Sequence, residues 1–185
     1  MEQNLTRRNL WNTAAKAGLV LGLISSVFLF INQWMGQAEI SAFLKMAANG
    51  ILWLAKFGGC IWVMRFFMKR FANENTDVAN QDTFRLGMAM AILSALVYAA
   101  VTFANVAFIS TDLFTQQMDM VMQQMAPMLD SNTLSEIDKT MQNLPQITFF
   151  SNLIYCFIYG TLLSFILSRS IPSKDPFADY KPDEQ

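Results

Sequence analysis

The chain has 185 residues, of which 54% are hydrophobic and 15% charged, and its formal net charge is −1. Because a soluble domain usually carries about 25% charged residues, this composition argues against a soluble protein. The near-zero net charge and the lack of a basic stripe argue against nucleic-acid binding, and without histidine the chain lacks the commonest general base and metal ligand.

Four long apolar stretches occupy most of the chain. A helix rises about 1.5 Å per residue, so about 20 apolar residues cover the ~30 Å hydrocarbon core of a bilayer. The sequence therefore predicts an all-α membrane protein, with one transmembrane domain over residues 11–171. Its four predicted transmembrane helices cover residues 13–35, 42–68, 84–111 and 147–169. The other predicted parts are an N-terminal tail, an outer helical loop and a disordered C-terminal tail, over residues 1–10, 112–146 and 172–185.

The charged residues between the spans predict how the chain is oriented, because lysine and arginine gather in cytoplasmic loops. Basic residues precede span one, separate spans two and three, and follow span four: Arg7, Arg8, Lys16, Arg65, Lys69, Arg70, Arg85, Arg169, Lys174 and Lys181. The loop between spans three and four has one lysine, Lys139, against five acidic residues. Both termini are therefore expected to be cytoplasmic, and this long loop to be outside.

Small residues recur every four positions in spans one and three. The first ladder is Ala14, Gly18, Gly22 and Ser26, and the second is Gly87, Ala91, Ala95 and Ala99. Residues four apart share a helix face, and helices in membranes associate largely through the close packing of such faces. The ladders predict tight packing, either within one chain or between copies in a homo-oligomer.

Span two carries a lysine deep in its apolar stretch. Lys56 lies nine residues before Arg65, which places it about 13 Å deeper and close to the bilayer centre. An ammonium group there costs about 2.5 to 3.5 kcal/mol on insertion scales. Since no Asp or Glu lies in any apolar stretch, Lys56 must snorkel, lose its charge, meet water or an anion, or form hydrogen bonds with uncharged groups.

Other polar residues share the helix faces around this lysine. The candidate binding residues are Lys45, Asn49 and Lys56 in span two, Asn105 in span three, and Asn152, Tyr155 and Tyr159 in span four, with Tyr98 as a further neighbour. One interpretation is an inward pocket for an anion, a lipid head group or a small solute. The alternative is interhelical hydrogen bonding, with the lysine stem snorkelling towards water.

The long outer loop has helical periodicity. Apolar residues recur at threes and fours from Phe114 to Leu129, and Pro127 interrupts or kinks this helix. A second helix is expected near Thr133, with Glu136 completing a capping box, and Pro145 marks a break before span four. The pattern predicts a helical hairpin, or two amphipathic helices on the membrane surface. Its clustered methionines could bind Cu(I), but a packing surface fits their apolar stripe better, and no metal site is predicted.

Four segments together resemble a known family. They are AAKAGLVLGLIS in span one, TFRLGMAMAILSALVYA in span three, LSEIDKTM in the outer loop and LSRSIPSKDPF after span four. Over about residues 10–172 the chain resembles family 4199 of the domain-of-unknown-function series, whose members are small bacterial four-span membrane proteins. The resemblance implies a four-helix fold in the bacterial inner membrane, and it carries over no catalytic residue.

These observations favour a non-enzymatic protein that acts through helix contacts, as a scaffold, assembly factor or modulator. The alternative is a small transporter, channel or anionic-lipid or solute-binding protein that uses the polar face around Lys56. An enzyme is disfavoured, because the apolar stretches lack His, Asp and Glu and a Ser–Lys pair is the only catalytic set available. Cys60 and Cys156 form no metal motif. No cofactor is expected, and the expected partners are the lipid bilayer and either a second copy or another membrane protein.

Overall fold

The computed structural model describes residues 2–38, 41–75, 78–125 and 131–171, and throughout this part of the chain the regular structure is helical. The helices are α1 (Glu2–Gln37), α2 (Ala42–Glu74), α3 (Asn80–Ala104), α4 (Thr111–Met125), α5 (Ser131–Gln142) and α6 (Leu144–Ser170). A π-helical segment, Asn105–Ile109, continues α3. The four predicted spans correspond to α1, α2, α3 with its π-helical extension, and α6, each long and apolar enough to cross a membrane. The all-α, four-span prediction is confirmed.

The helix ends differ in detail from the predicted boundaries. Helix α1 extends through the predicted N-terminal tail to Glu2. Helix α2 begins after Ser41, whose hydroxyl accepts a hydrogen bond from the Leu44 backbone N–H. Helix α6 begins at Leu144 with Pro145 in its first turn, where a missing N–H costs nothing. The predicted disordered tail, 172–185, lies outside the described residues.

Helix α3 is the centre of the bundle, because it packs extensively on both α1 and α6. The alanines of its small-residue ladder, Ala91, Ala95 and Ala99, are buried. Small residues on both sides let the helix backbones approach closely, which is how packing contributes to stability in a membrane. The two predicted ladders therefore lie in contacts within this one chain.

The buried apolar side chains are concentrated at the end of the bundle where α2 leads into α3. The cluster includes Leu21, Met64, Met68, Phe71, Leu86, Met90 and Leu167. The first half of α2 is different, since Phe43, Met46, Ile51 and Leu54 are all exposed. Helix α2 packs mainly on α1 and only slightly on α3 and α6. Its second half is thus anchored in the core, whereas its first half is little covered by the rest of the chain.

The loop between spans three and four forms two helices, α4 and α5. In α4, Phe114, Met118 and Met122 are half-buried while Met120 is exposed, which matches part of the predicted apolar stripe. Helix α5 spans Ser131–Gln142, so Thr133 lies in its first turn, two residues from where the sequence predicted the helix to begin. The predicted kink at Pro127 lies outside the described residues. The amphipathic character fits either a hairpin or surface helices, and the extracytoplasmic location stays a prediction.

Candidate functional site

Lys56 lies halfway along α2, at the point where the anchored half of the helix gives way to the exposed half. Its side chain is half-buried, and Nζ lies 4.7 Å from the centroid of the Tyr98 ring on α3. A cation over an aromatic face gains about 0.5 to 2 kcal/mol, which lowers the cost of the charge without cancelling it. The described residues provide no ion pair for Lys56.

The lysine lines a cleft to which all four long helices contribute. The lining side chains are Leu21 and Ser25 from α1, Lys56, Phe57, Cys60 and Met64 from α2, Ala91 and Ser94 from α3, and Tyr155, Cys156, Tyr159 and Leu163 from α6, with Gly160. The cavity volume is about 90 Å³. Of the seven sequence-predicted binding residues, the structure brings Lys56, Tyr155 and Tyr159 together here.

Aromatic rings line one wall of the cleft. Phe57 lies 4.5 Å from Trp53, measured between ring centroids, and 5.1 Å from Tyr159 in an edge-to-face arrangement. The pair of Phe57 and Tyr159 links α2 to α6, which otherwise make little contact. Tyr155 is 63% exposed and marks the mouth of the cleft. Edge-to-face aromatic pairs contribute about 0.5 to 1.5 kcal/mol beyond their buried area, so the contact between Phe57 and Tyr159 helps to hold α2 against α6.

Polar groups in the cleft are uncharged apart from the lysine. The Ser25 hydroxyl and the Cys60 thiol lie 3.8 Å apart and share a weak hydrogen bond between α1 and α2. The Ser94 hydroxyl donates to the Ala91 carbonyl of its own helix at 3.1 Å, as span serines commonly do. The cleft therefore offers one cation and a few neutral hydrogen-bonding groups.

Three predicted binding residues lie elsewhere. Lys45 Nζ donates to the Gly36 carbonyl at 3.0 Å, so this lysine bridges the ends of α1 and α2. Asn152 donates to the Thr148 carbonyl of its own helix at 2.8 Å. Asn49 lies two turns from Lys56 on the same helix face, but it is exposed and not among the cleft-lining residues. Lys45 and Asn49 share a helix face with Lys56 but do not reach the cleft, because the first half of α2 is exposed and α2 makes little contact with α6.

Asn105, the remaining predicted residue, belongs to a separate polar cluster and does not approach the cleft. It is only 1% exposed and donates to the Gln33 side-chain oxygen at 3.0 Å. Its own side-chain oxygen accepts from the Ser110 hydroxyl at 3.0 Å, and Gln33 donates to that hydroxyl. The three side chains form a closed hydrogen-bonded triangle between α1 and the π-helical end of span three. π-Helical segments are rare and occur frequently at functional sites.

Sequence reasoning overlooked several residues of these contacts. Gln33 and Ser110 complete the triangle, and their only sequence signal is a polar residue near the end of an apolar stretch. Gly160 packs on Ala91, and the Ser164 hydroxyl donates to the Phe84 carbonyl at 2.9 Å. Gly160 and Ser164 are four residues apart, so a search for small residues at this spacing in span four would have found them.

The site has limited chemical capability. No group of three or more metal-binding side chains occurs among the described residues. The cleft supplies a cation, hydroxyls and two thiols, and the side chains lining it include no carboxylate that could act as a general base. An arrangement of this kind suits binding of a negatively charged group more than proton transfer.

The four long apolar helices and the intramembrane cleft define an all-α, multi-pass membrane protein. The sequence model of the family described as "Protein of unknown function (DUF4199)" matches residues 16–169. The chain therefore belongs to this family, and the resemblance inferred from its sequence segments is confirmed. Searches of the curated proteins and of the solved structures found no match to this chain.

Proposed function

We propose that this protein is a non-enzymatic membrane protein that acts through contacts between transmembrane helices. The contact surface is one side of α2, which we call the exposed face of α2. It consists of Ala47, Gly50, Ile51, Leu54, Ala55, Gly58 and Trp62, all of them exposed. The proposal rests on how differently the glycines of α2 and those of the other helices are surrounded.

The glycines inside the apolar stretches of α1, α3 and α6 are packed against neighbouring helices, whereas Gly36, at the end of α1, is open. A Cβ atom added to Gly18 would lie 2.7 Å from Leu93 Cβ, one added to Gly22 2.6 Å from Val97 Cβ, and one added to Gly160 2.6 Å from Ala91 Cβ. A glycine in a helix costs about 1 kcal/mol relative to alanine. Close packing within the chain offsets that cost at these positions.

The glycines of α2 have no such neighbours. A Cβ atom added to Gly50, Gly58 or Gly59 would meet nothing within 4 Å. The candidate span on α2 also buries the smallest share of its residues, 11% against 33% for the span on α1. Small residues matter in membranes because they let another helix approach closely. The matching helix for α2 is therefore expected to come from outside this chain.

A second copy of the chain is the partner that this face fits. Small residues such as Gly50 and Gly58 alternate along it with large ones such as Leu54 and Trp62, so two parallel copies related by a two-fold axis along the membrane normal can interdigitate. Such an isologous contact closes on itself and gives a dimer. In the bacterial inner membrane both copies would have cytoplasmic termini, since most of the basic residues lie near the start of α1, the end of α2 and the end of α6.

Replacement of Gly58 by leucine should weaken self-association by about tenfold or more, because the side chain holds the two helices apart. The measurement is energy transfer between donor- and acceptor-labelled copies in lipid vesicles, diluted with increasing lipid. Gly36→Leu is the matched control, since Gly36 is equally open but lies at the end of α1. A wild-type chain that stays monomeric at all dilutions, or a Gly58→Leu variant that associates like Gly36→Leu, would contradict the proposal.

Ligand binding, as a transporter, channel or lipid-binding protein, is the second candidate function. One observation favours it: Lys56 lies in a cleft formed by all four long helices, and the contact proposal makes no use of this residue. Lys56 and Gly58 are two residues apart, which places their side chains about 200° apart around the helix. The two candidate functions thus use opposite sides of α2 and can coexist.

A further inference from the structure

We infer that the cleft around Lys56 binds the single anionic head group of an amphiphile, a carboxylate or a phosphate ester attached to an apolar chain, which enters from the membrane between α2 and α6. The inference rests on the second candidate function, ligand binding, and is independent of the exposed face of α2. It follows from the charge, the size and the access of the cleft.

The charge of Lys56 calls for an anion. It is the only charged residue in the four apolar stretches, residues 17–34, 46–64, 87–109 and 147–167. Where the structure is described, its charge is met by the Tyr98 ring and by no carboxylate. Ionisable groups at such depth usually pair with an opposite charge or with water, and they mark binding sites and pathways. A ligand anion would supply the missing counter-charge.

The size of the cleft limits what enters it. A cavity of about 90 Å³ holds several waters or one small head group, but not a whole lipid molecule. The Ser25 hydroxyl and Tyr159 line the same space as Lys56, and both can donate hydrogen bonds to an anionic oxygen. The remaining walls, including Leu21, Met64 and Leu163, are apolar and suit the first carbons of a chain.

Access to the cleft is lateral. Tyr155 of α6 lines the cleft and is 63% exposed. Because α2 makes little contact with α6, the cleft opens beside Tyr155, between these two helices. Lys56 lies about 13 Å from the level of Arg65, so this opening faces hydrocarbon. A ligand that arrives through hydrocarbon must carry an apolar chain, and this requirement separates an amphiphile from a free inorganic anion.

The two cysteines provide a direct readout of occupancy. Cys60 and Cys156 both line the cleft, and the chain has no others. A bound head group should shield them from N-ethylmaleimide, a thiol reagent that crosses membranes. The measurement is the alkylation rate of the full chain in lipid nanodiscs with and without each probe. Taking the ratio within each variant cancels any change in intrinsic thiol reactivity.

The probes are oleate, dioleoyl phosphatidate, oleyl alcohol and acetate. Oleate or phosphatidate should slow alkylation by about tenfold at saturation, and whichever protects at the lower concentration identifies the head group. Lys56→Arg should retain protection, Lys56→Met should lose it, and thermal unfolding should show that both variants are folded. Equal protection by oleyl alcohol, equal protection by acetate, or unchanged protection in Lys56→Met would each overturn the inference, as would no protection of the wild type. Gly58→Leu should bind normally, so that failure of the contact proposal leaves this result unaffected.

Discussion

The Gly22→Leu variant is expected to unfold far more readily than the wild type. A Cβ atom at this position would lie 2.6 Å from Val97 Cβ and 3.1 Å from the Ser94 carbonyl oxygen. The second contact is to backbone, so α3 as a whole would have to move away from α1. Overpacking a close-packed site costs about 1 to 3 kcal/mol of stability and sometimes more. Because leucine adds three carbons beyond Cβ, we expect the free energy of unfolding to fall by about 3 kcal/mol. Thermal or denaturant unfolding in detergent measures this loss.

Gly58→Leu is the matched control for this prediction. It makes the same chemical change in a transmembrane helix, but nothing lies within 4 Å of the added carbon. Its stability in monomeric form is expected to equal or slightly exceed that of the wild type, since leucine favours helix more than glycine does. If the Gly22→Leu and Gly58→Leu variants were equally stable, α1 and α3 would not be in close contact at Gly22.

Removing the Asn105 side chain should give the second largest effect. In Asn105→Leu, the Gln33 amide oxygen loses the hydrogen bond that it accepts at 3.0 Å, and the Ser110 hydroxyl loses its acceptor. Interhelical hydrogen bonds in membranes contribute about 0.6 to 2 kcal/mol, and stranded buried polar groups add to the cost. We expect the free energy of unfolding to fall by about 2 kcal/mol, measured by the same unfolding experiment.

A double-variant cycle separates the triangle from simple loss of packing. Gln33→Leu combined with Asn105→Leu removes two members together and leaves fewer unpaired groups. The double variant should therefore be less destabilised than the sum of the two single variants. Additive losses would show that Asn105 and Gln33 do not interact, in conflict with the geometry.

The sequence was sufficient to predict the helices and the small-residue ladders. Twenty or so apolar residues in a row leave few alternatives to a membrane-spanning helix, and residues four apart share a helix face whatever the tertiary structure. Gly18 and Gly22 could therefore be assigned to packing. Their partners on α3 could not, because the sequence does not give the register between two helices. The choice between packing within the chain and between copies was likewise left open.

The candidate site was only partly predictable for the same reason. Lys56 stood out because a charge in an apolar stretch is costly wherever the helix faces. Asn105 and Asn152 were grouped with it as polar span residues, but their nearest acceptors are Gln33 and a carbonyl of their own helix. Helix periodicity places residues on one face of one helix and does not specify which face of the next helix they meet. The π-helical segment after Ala104 also shifts the register of span three, and no residue in the sequence marks it.

The exposed face of α2 became visible only through the structure. Gly50 and Gly58 look like the other span glycines in the sequence, since each lies within a long apolar stretch. What distinguishes them is the empty space around them, set by how α2 sits at the margin of the bundle. The same marginal position leaves the cleft at Lys56 open to the membrane. Both proposals therefore depend on the placement of this one helix.

Photo-crosslinking from Leu54 in intact membranes tests the central claim, contact through the exposed face of α2, most directly. With a benzophenone amino acid in place of Leu54, we predict a product of twice the 21.0 kDa chain mass, lost when Gly58→Leu is added. The same probe in place of Ile166, which is exposed on α6, is the control and should give no such product. If the probe at Leu54 gives no product of this mass, or crosslinks only to lipid as the Ile166 control does, the proposed contact does not exist.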